Sequence, residues 1–490
     1  MYTALVNATS FFPAWSHRLN PMGSRTAKLL RGAGALTLCQ LETCFAAWTP
    51  PQLFPKATAK QNSRDRDYTP VRTFWCMLWQ SFNPLAPGRE VVRQLQALFE
   101  LENRRPLSPE DGAYCRAKSR LPLDQFPTVL KATAGSADQL SHQTPQFLQS
   151  RWVKVVDGST VTLQDTPKNR KAFPAVTCGT FPIMRFVAFF SLLSGAIIGV
   201  AQGAWGISEL GLMHSLAAQL GAGDILVADR GFGSYPVVAW LQLAGIDFIG
   251  RTTRRIDGRR GVKRLGRNDW MIRWKESLSC SSPWLSHSER SALPAEMLIR
   301  AVKGSCFRKG FRVRQLTVIT TLLDPELYPA EEILLAYLRR WRMEMCLDDL
   351  KTTLQMESLR GRTPEMARRE MYTRLIAHNL IRCTMAQAAV KHSVVLERLS
   401  FKGSLDALRQ FTQAMTMARS KAKRRQLWEL LLDTLAKDRV PARPGRREPR
   451  AVKRRKSKYQ RLHGSRHHFK DRPGRHKRER SARLRRLAAM

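Results

Sequence analysis

The chain has 490 residues, is 43% hydrophobic and carries a formal charge of +43 at pH 7. That length suits roughly two to four domains with a substantial core. So large a positive excess opposes compaction unless an anion neutralises it, which favours a nucleic-acid partner over a membrane surface or an acidic protein.

The charge is uneven but not confined to one end. Residues 441–490 hold 20 Lys/Arg against 3 Asp/Glu, and the rest of the excess lies in residues 1–440. Nine cysteines are scattered with no CxxC pair, as expected of a protein kept in a reducing compartment. The first cation is Arg18, so no basic region precedes an apolar secretory core, and a cytoplasmic, nucleoid-associated bacterial protein is expected. A GxxxxGK[ST] loop is absent, so no nucleotide cofactor is expected. Neither GxSxG nor HExxH is present, and the histidines have no zinc-finger spacing.

In chain order, residues 1–69 are irregular, with Pro50-Pro51 and the polar run "KATAKQNSRDRD". Residues 70–148 predict a helical domain. "TFWCMLWQSF" and "REVVRQLQALFEL" are amphipathic, and in "LSPEDGAYCRAKSRL" Ser108 is the expected N-cap with Pro109 in the first turn. Such a module suits DNA binding, and a purely packing role suits it equally.

From residue 151 the pattern changes. "WVKVV" reads as a strand ending at Asp157. Phe186 to Ser208 is uncharged and long enough to span a bilayer, but Ser194-Gly195 divides it into two strand-sized halves, so a buried β-hairpin is expected and no membrane partner. "SELGLMHSLAAQLGAG" predicts a helix capped by Ser208. "DILVA" predicts a buried strand ending at Asp229, "SYPVVAWLQLAG" a helix and "IDFIG" another strand. The alternation indicates a mixed α/β sheet with helices on its faces. Residues 251–320 predict a basic, mainly β insertion. Helices dominate from about 330 to 440, and 441–490 is a basic tail expected to be disordered when free.

Two aspartates thus sit at the ends of apolar strands, in "VKVVDGST" (Asp157) and "ILVADRGF" (Asp229). Carboxylates sharing a sheet rim repel one another unless a cation binds, and their oxygens suit Mg2+ or Mn2+. Either aspartate could instead make only a local turn. In "YLRRWRMEMCLDDLK", Tyr337, Arg340, Glu344 and Lys351 fall on one face of an expected helix, since no Gly or Pro occurs from Ala336 to Gln355. Glu344 could complete a metal's ligand set, and Arg340 and Lys351 could grip phosphates. Alternatively, Arg340–Glu344 is an ordinary surface pair.

The spacing Y-x2-R-x3-E-x6-K, with "VVDGST" and "LVADRGFGSYPVV", resembles the insertion-sequence DDE transposases that carry the Y-R-E-K signature, the insertion sequence four family. The resemblance covers about residues 150–380, and residues 70–125 resemble an N-terminal module of some members. It implies an α/β fold: a ribonuclease-H-like mixed-sheet core (151–380), interrupted by a mainly β insertion (251–320). A helical DNA-binding segment (70–148) would precede this core, and C-terminal helices (381–440) and the basic tail would follow it.

It further implies that Asp157, Asp229 and Glu344 are the catalytic, metal-binding triad, and that Tyr337, Arg340 and Lys351 contact DNA. The expected activity is metal-dependent cleavage of double-stranded DNA at the inverted-repeat ends of the element and joining of those ends to target DNA. A homodimer is expected in the DNA complex. A catalytically silent derivative acting as a repressor is the alternative. In members that form a DNA hairpin, an aromatic of the insertion stacks on a flipped base, and Trp270, Trp274 and Trp284 are candidates for that role. Two departures stand out: Ser159 precedes Thr160 where many relatives have two threonines, and residues 1–65 lie outside the resemblance.

Overall fold

The structure is a computed structural model. It describes residues 37–54, 67–101, 104–141, 147–174, 181–253, 256, 261–276, 282–305, 315–418 and 420–441. The expectations for residues 1–36 and for the tail beyond 441 fall outside those residues.

Helices α1 (Thr37–Phe45), α2 (Pro70–Phe82), α3 (Gly88–Leu101), α4 (Gly112–Arg120) and α5 (Phe126–Ser141) come first. Thr69 starts α2 by accepting from the Arg72 amide, and Pro70 occupies the first turn, where a missing N–H costs nothing. Ser108, in contrast, caps no helix. Its hydroxyl lies 3.4 Å from the Glu110 amide in a local turn, and α4 begins only at Gly112.

The central part holds β1 (Val153–Thr162), α6 (Pro167–Ala172), β2 (Ile183–Ser191), β3 (Ile197–Ala204), α7 (Glu209–His214), β4 (Ile225–Ala228), α8 (Tyr235–Leu243) and β5 (Asp247–Gly250). Then follow β6 (Lys263–Gly266), β7 (Asp269–Lys275), α9 (His287–Ser291), β8 (Glu296–Ser305) and β9 (Gln315–Thr320). The described strands form one mixed sheet in the order β3-β2-β1-β4-β5-β9-β8-β7-β6. Strands β1, β4 and β5 are parallel, and β2 and β3 form an antiparallel hairpin beside β1. Gly195 turns that hairpin at φ +72, a conformation that favours glycine. The apolar stretch is therefore sheet core, and no helix among the described residues is long and apolar enough to cross a membrane.

Residues 251–320 supply strands that prolong this same sheet, because β8 pairs with β9 and β9 pairs with β5. Their attachment is reinforced by a buried ion pair. Arg300 Nε and Nη2 grip Asp269 at 2.9 and 2.6 Å, while Nη1 donates to the Tyr328 carbonyl at 2.7 Å. This ties the outer strands to the turn that leads into the next helix. The insertion tryptophans are packed inward. Trp274 is buried edge-on against Tyr235, Trp284 meets His214 and Trp240, and Trp270 is half-buried against the same cluster. Among the three, none stands exposed as a stacking platform.

The described residues close with α10 (Ala330–Arg339), α11 (Trp341–Asp348), α12 (Pro364–Lys391), α13 (Phe401–Met417) and α14 (Lys421–Lys437). Helix α12 is buried along most of its length. Its Asn379 amide accepts from the Ile197 N–H at 2.8 Å and donates to the Ile197 carbonyl at 2.9 Å, satisfying backbone groups at the edge strand β3.

Strand alternation divides the sheet into two faces. Val155, Val161, Ile225 and Val227 join the core with Ile333, Ala336, Tyr337 and residues of α12. Val156, Leu226 and Ala228 join the opposite core with α7 and α8.

Candidate active site

Asp157 shares the parity of Val155 and Val161, so it projects from the face covered by α10 and α11. It does not end its strand. Strand β1 runs on to Thr162, and Asp157 pairs with Ala188 of β2. What ends near Asp157 is the neighbour on the other side: β1–β4 pairing stops at Val155↔Val227. Continuing that register by two places sets Asp157 beside Asp229, immediately past β4. The sheet's length is thus locally unequal, and the resulting step forms a rim with two carboxylates.

Both aspartates are held by backbone amides. Asp157 Oδ1 accepts from Gly158 N–H at 2.8 Å, and Asp229 Oδ1 accepts from Gly231 N–H at 2.7 Å. These are local turn bonds, and in each case they fix the carboxylate while engaging only one oxygen. The loop after Asp229 folds tightly back on the sheet. A Cβ at Gly233 would lie 1.7 Å from the Arg251 carbonyl oxygen, so only glycine permits this approach. Gly158 projects to the opposite face, where a Cβ would lie 2.9 Å from the Glu209 carboxyl carbon.

The signature segment is not one uninterrupted α-helix. Arg340 separates α10 from α11 with helical dihedrals, and Met343 N–H bonds to the Arg340 carbonyl in a tightened turn. Residues Asp349–Thr353 then widen into a π turn that carries Lys351. Such departures from regular α geometry recur at functional sites. Nor do the four signature residues share one exposed column. Tyr337 and Arg340 are buried, Lys351 is half-buried and Glu344 is exposed. The sheet beneath α10 and α11 claims the first two.

Burial gives Arg340 a specific task. Its Nη2 donates to Glu344 Oε1 at 3.1 Å, and its Nη1 lies 3.9 Å from Asp157 Oδ2. Its guanidinium stands 5.8 Å from the centre of the Tyr337 ring, and its Nε is buried without a partner among the described residues. One fixed cation therefore links the first Asp to the Glu. Burial pushes the Asp157 carboxyl up to about 6. The Gly158 amide and Arg340 oppose that rise, and the nearby Asp229 and Glu344 charges add to it. Asp157 thus feels the charges of both other carboxylates.

The donor set is of the right kind for a hard divalent cation: carboxylate oxygens in a partly desolvated site. The distances are those of the arginine-bridged arrangement. Among the described residues no three His, Cys, Asp or Glu side chains converge tightly enough to enclose an ion. The guanidinium lies between two of the carboxylates that would need to close.

Residues 148–380 match the family model described as a transposase DDE domain. The chain is also 26% identical over 441 residues to the transposase InsG for insertion sequence element IS4 of Escherichia coli strain K12, covering 85% of this chain and 93% of that one. The chain thus carries a transposase DDE domain and is similar over most of its length to an insertion-sequence transposase. A second relative, the transposase for insertion sequence element IS421 of Escherichia coli, is 27% identical over 189 residues, or 33% of this transposase and 50% of the relative. Among solved structures, a piggyBac transposase synaptic complex with hairpin DNA aligns with 83% of this chain and 86% of its own, at a TM-score of 0.38 and 12% identity, a likeness too slight to assign a fold. The transposase is thus an enzyme of DNA strand cleavage and transfer, in a family whose chemistry generally depends on a divalent metal.

Sequence reasoning could see the i,i+4 relation of Arg340 and Glu344 but had no signal for the approach of Arg340 to Asp157, which is a tertiary contact. It also had no signal for Arg300, whose buried bond to Asp269 steadies the turn before α10.

Proposed function

We propose that this transposase cuts double-stranded DNA at the inverted-repeat ends of its own insertion sequence and joins the freed ends to target DNA. What supports this reading is Arg340, whose guanidinium stands 3.9 Å from Asp157 and 3.1 Å from Glu344, together with the strand register that continues to Asp229 beside Asp157. The sheet order β3-β2-β1-β4-β5, antiparallel across β3, β2 and β1 and parallel from β1 to β5, supports a ribonuclease-H-like core.

Asp157 and Asp229 would hold a divalent ion, Mg2+ or Mn2+, through the oxygens their turn bonds leave available. Glu344, exposed on α11, would join them. When bound, the ion supplies charge stabilisation to the phosphoryl oxygens and to the attacking and leaving oxygens. The chain's own part is positional. The turn amides of Gly158 and Gly231 orient the two aspartates. Arg340 orients Glu344 and, on release from it, offers a planar pair of donors to a backbone phosphate. Tyr337 packs beneath and limits where that guanidinium can go. Lys351, on the π turn, extends the positive surface toward the DNA. Helices in residues 70–148 serve DNA binding, and residues 381–440 pack as C-terminal helices. Cutting two ends in one complex calls for a homodimer.

The test uses full-length protein and a plasmid carrying the gene with its native flanking DNA, incubated with Mg2+, with EDTA, and with Glu344→Gln protein. Breaks mapped at the element's ends that require both metal and Glu344 are expected. Binding at those ends without breaks under any metal would favour the repressor alternative and refute this reading.

A further inference from the structure

A cleft of about 520 Å3 opens away from the triad, where α2 and α4 meet the loop 355–362 and the first turns of α12. Lys118, Arg360, Arg362 and Arg374 line it together with Asp111 and Glu370. Cations outnumber acids, and one acid is already committed. Glu370 accepts from the Arg360 and Gly361 amides at 2.8 and 2.9 Å and pairs with Arg374 at 2.8 Å. Arg360 spends its guanidinium on structure, donating to the carbonyls of Ala86 and Pro84 and thereby joining the N-terminal helices to the catalytic part. Lys118 and Arg362 remain. Lys118 lies over the Tyr114 ring at 4.6 Å, Arg362 is exposed, and neither has a carboxylate partner among the described residues.

The cleft is rigidly referenced to the catalytic strand. Thr162, at the end of β1, donates its N–H to the Glu357 carbonyl at 3.0 Å and accepts from the Leu359 amide at 2.9 Å. Arg360 follows directly. Five residues separate Asp157 from Thr162, or roughly 17 Å of extended strand. The loop that carries Arg360 and Arg362 thus joins β1 at a reach of several nucleotides from Asp157.

We propose that this cleft is a backbone clamp for the element-end DNA: Lys118 and Arg362 bind a phosphate several nucleotides from the bond that is cut, and the N-terminal helices are thereby held in register with the triad. The inference rests on the reading of the triad as a DNA-cleaving centre. The shared chemistry, an anionic phosphate, could also come from a free nucleotide. Two features favour DNA: the cleft is open at the seam between the two parts, and Arg360 closes the seam behind it without using up Lys118 and Arg362.

The test measures binding of a fluorescent duplex bearing the element end to full-length protein across a range of salt, for wild type, for Lys118→Ala/Arg362→Ala and for the charge-preserving Lys118→Arg/Arg362→Lys. The alanine pair is expected to lower the slope of log affinity against log salt by about 1, the loss of one neutralised phosphate, and the charge-preserving pair to restore it. Phosphate-ethylation interference on wild-type protein, which needs no variant, is expected to show one sensitive phosphate several nucleotides from the mapped cut. An unchanged slope, or no sensitive phosphate in that region, overturns the clamp. Micromolar binding of adenosine monophosphate by wild type that the alanine pair abolishes, with the DNA slope unchanged, would assign the cleft to a free nucleotide and also overturn it. Failure of wild-type protein to cut at the element's ends refutes the functional reading instead, so the two failures are distinguishable.

Discussion

Replacing Asp157 by asparagine should make the metal-free protein more stable at alkaline pH while removing its chemistry. Burial lifts the Asp157 carboxyl from its ordinary value of 3.8 to about 6, against the pull of Arg340. A folded-state value above the unfolded one means that ionisation opposes folding. The neutral form's contribution is fully present below about 3.8 and is lost as pH rises through 6. A rise of about two units at about 1.4 kcal/mol each gives a penalty of about 3 kcal/mol above pH 7, falling to about 0.5 kcal/mol near pH 4. The side chain is only 20% exposed, so solvent screening leaves most of this intact. Asparagine keeps the shape and the bond from the Gly158 amide but cannot ionise. Urea denaturation with EDTA at pH 8 and pH 4 should therefore show Asp157→Asn more stable than wild type by about 3 and about 0.5 kcal/mol respectively. Adding Mg2+ at pH 8 should stabilise wild type and leave the variant behind. An equal effect at both pH values, or a loss of stability at pH 8, would refute the claim that this carboxyl is held in an unfavourable, desolvated place awaiting a cation.

Asp157→Asn, Asp229→Asn and Glu344→Gln should each lower strand cleavage by about a thousandfold or more, with end-DNA binding nearly unchanged in a gel-shift assay. Substantial cleavage by any one of them would remove that residue from the triad. Lys351→Ala should reduce the salt slope of end-DNA binding by about 1, and wild-type affinity and slope would exclude a phosphate contact there. Arg300→Met strands a buried carboxylate and should cost about 3–5 kcal/mol of stability, whereas Arg300→Met/Asp269→Leu should recover about half of that, the Tyr328 carbonyl still lacking its donor. Strictly additive losses in denaturation would show that the pair is not coupled.

Local chemistry was legible wherever it acts over a few residues. Alternating and apolar runs announced the hairpin β2–β3, and Ser208 does cap α7 by accepting from the Gly211 amide. That helix nevertheless stops at His214, well short of the expected extent, and Ser108 takes a turn bond in place of a cap. Boundaries of this sort are set by small differences between competing local hydrogen bonds, which a periodic pattern does not resolve.

By itself, the sequence determined the alternation of strands and helices, the spacing of Tyr337, Arg340, Glu344 and Lys351, and the adjacency of two aspartates to apolar strands, because each is a property of neighbours along the chain. Only the tertiary structure decided that β4 stops where Asp157 sits in mid-strand, that the outer strands prolong one sheet, and that Tyr337 and Arg340 are buried while Glu344 faces solvent. It alone brought Arg340 within 3.9 Å of Asp157. Those outcomes depend on which face of a helix meets which face of a sheet, a choice made by burial energy summed over residues far apart in the chain, and no single segment carries it.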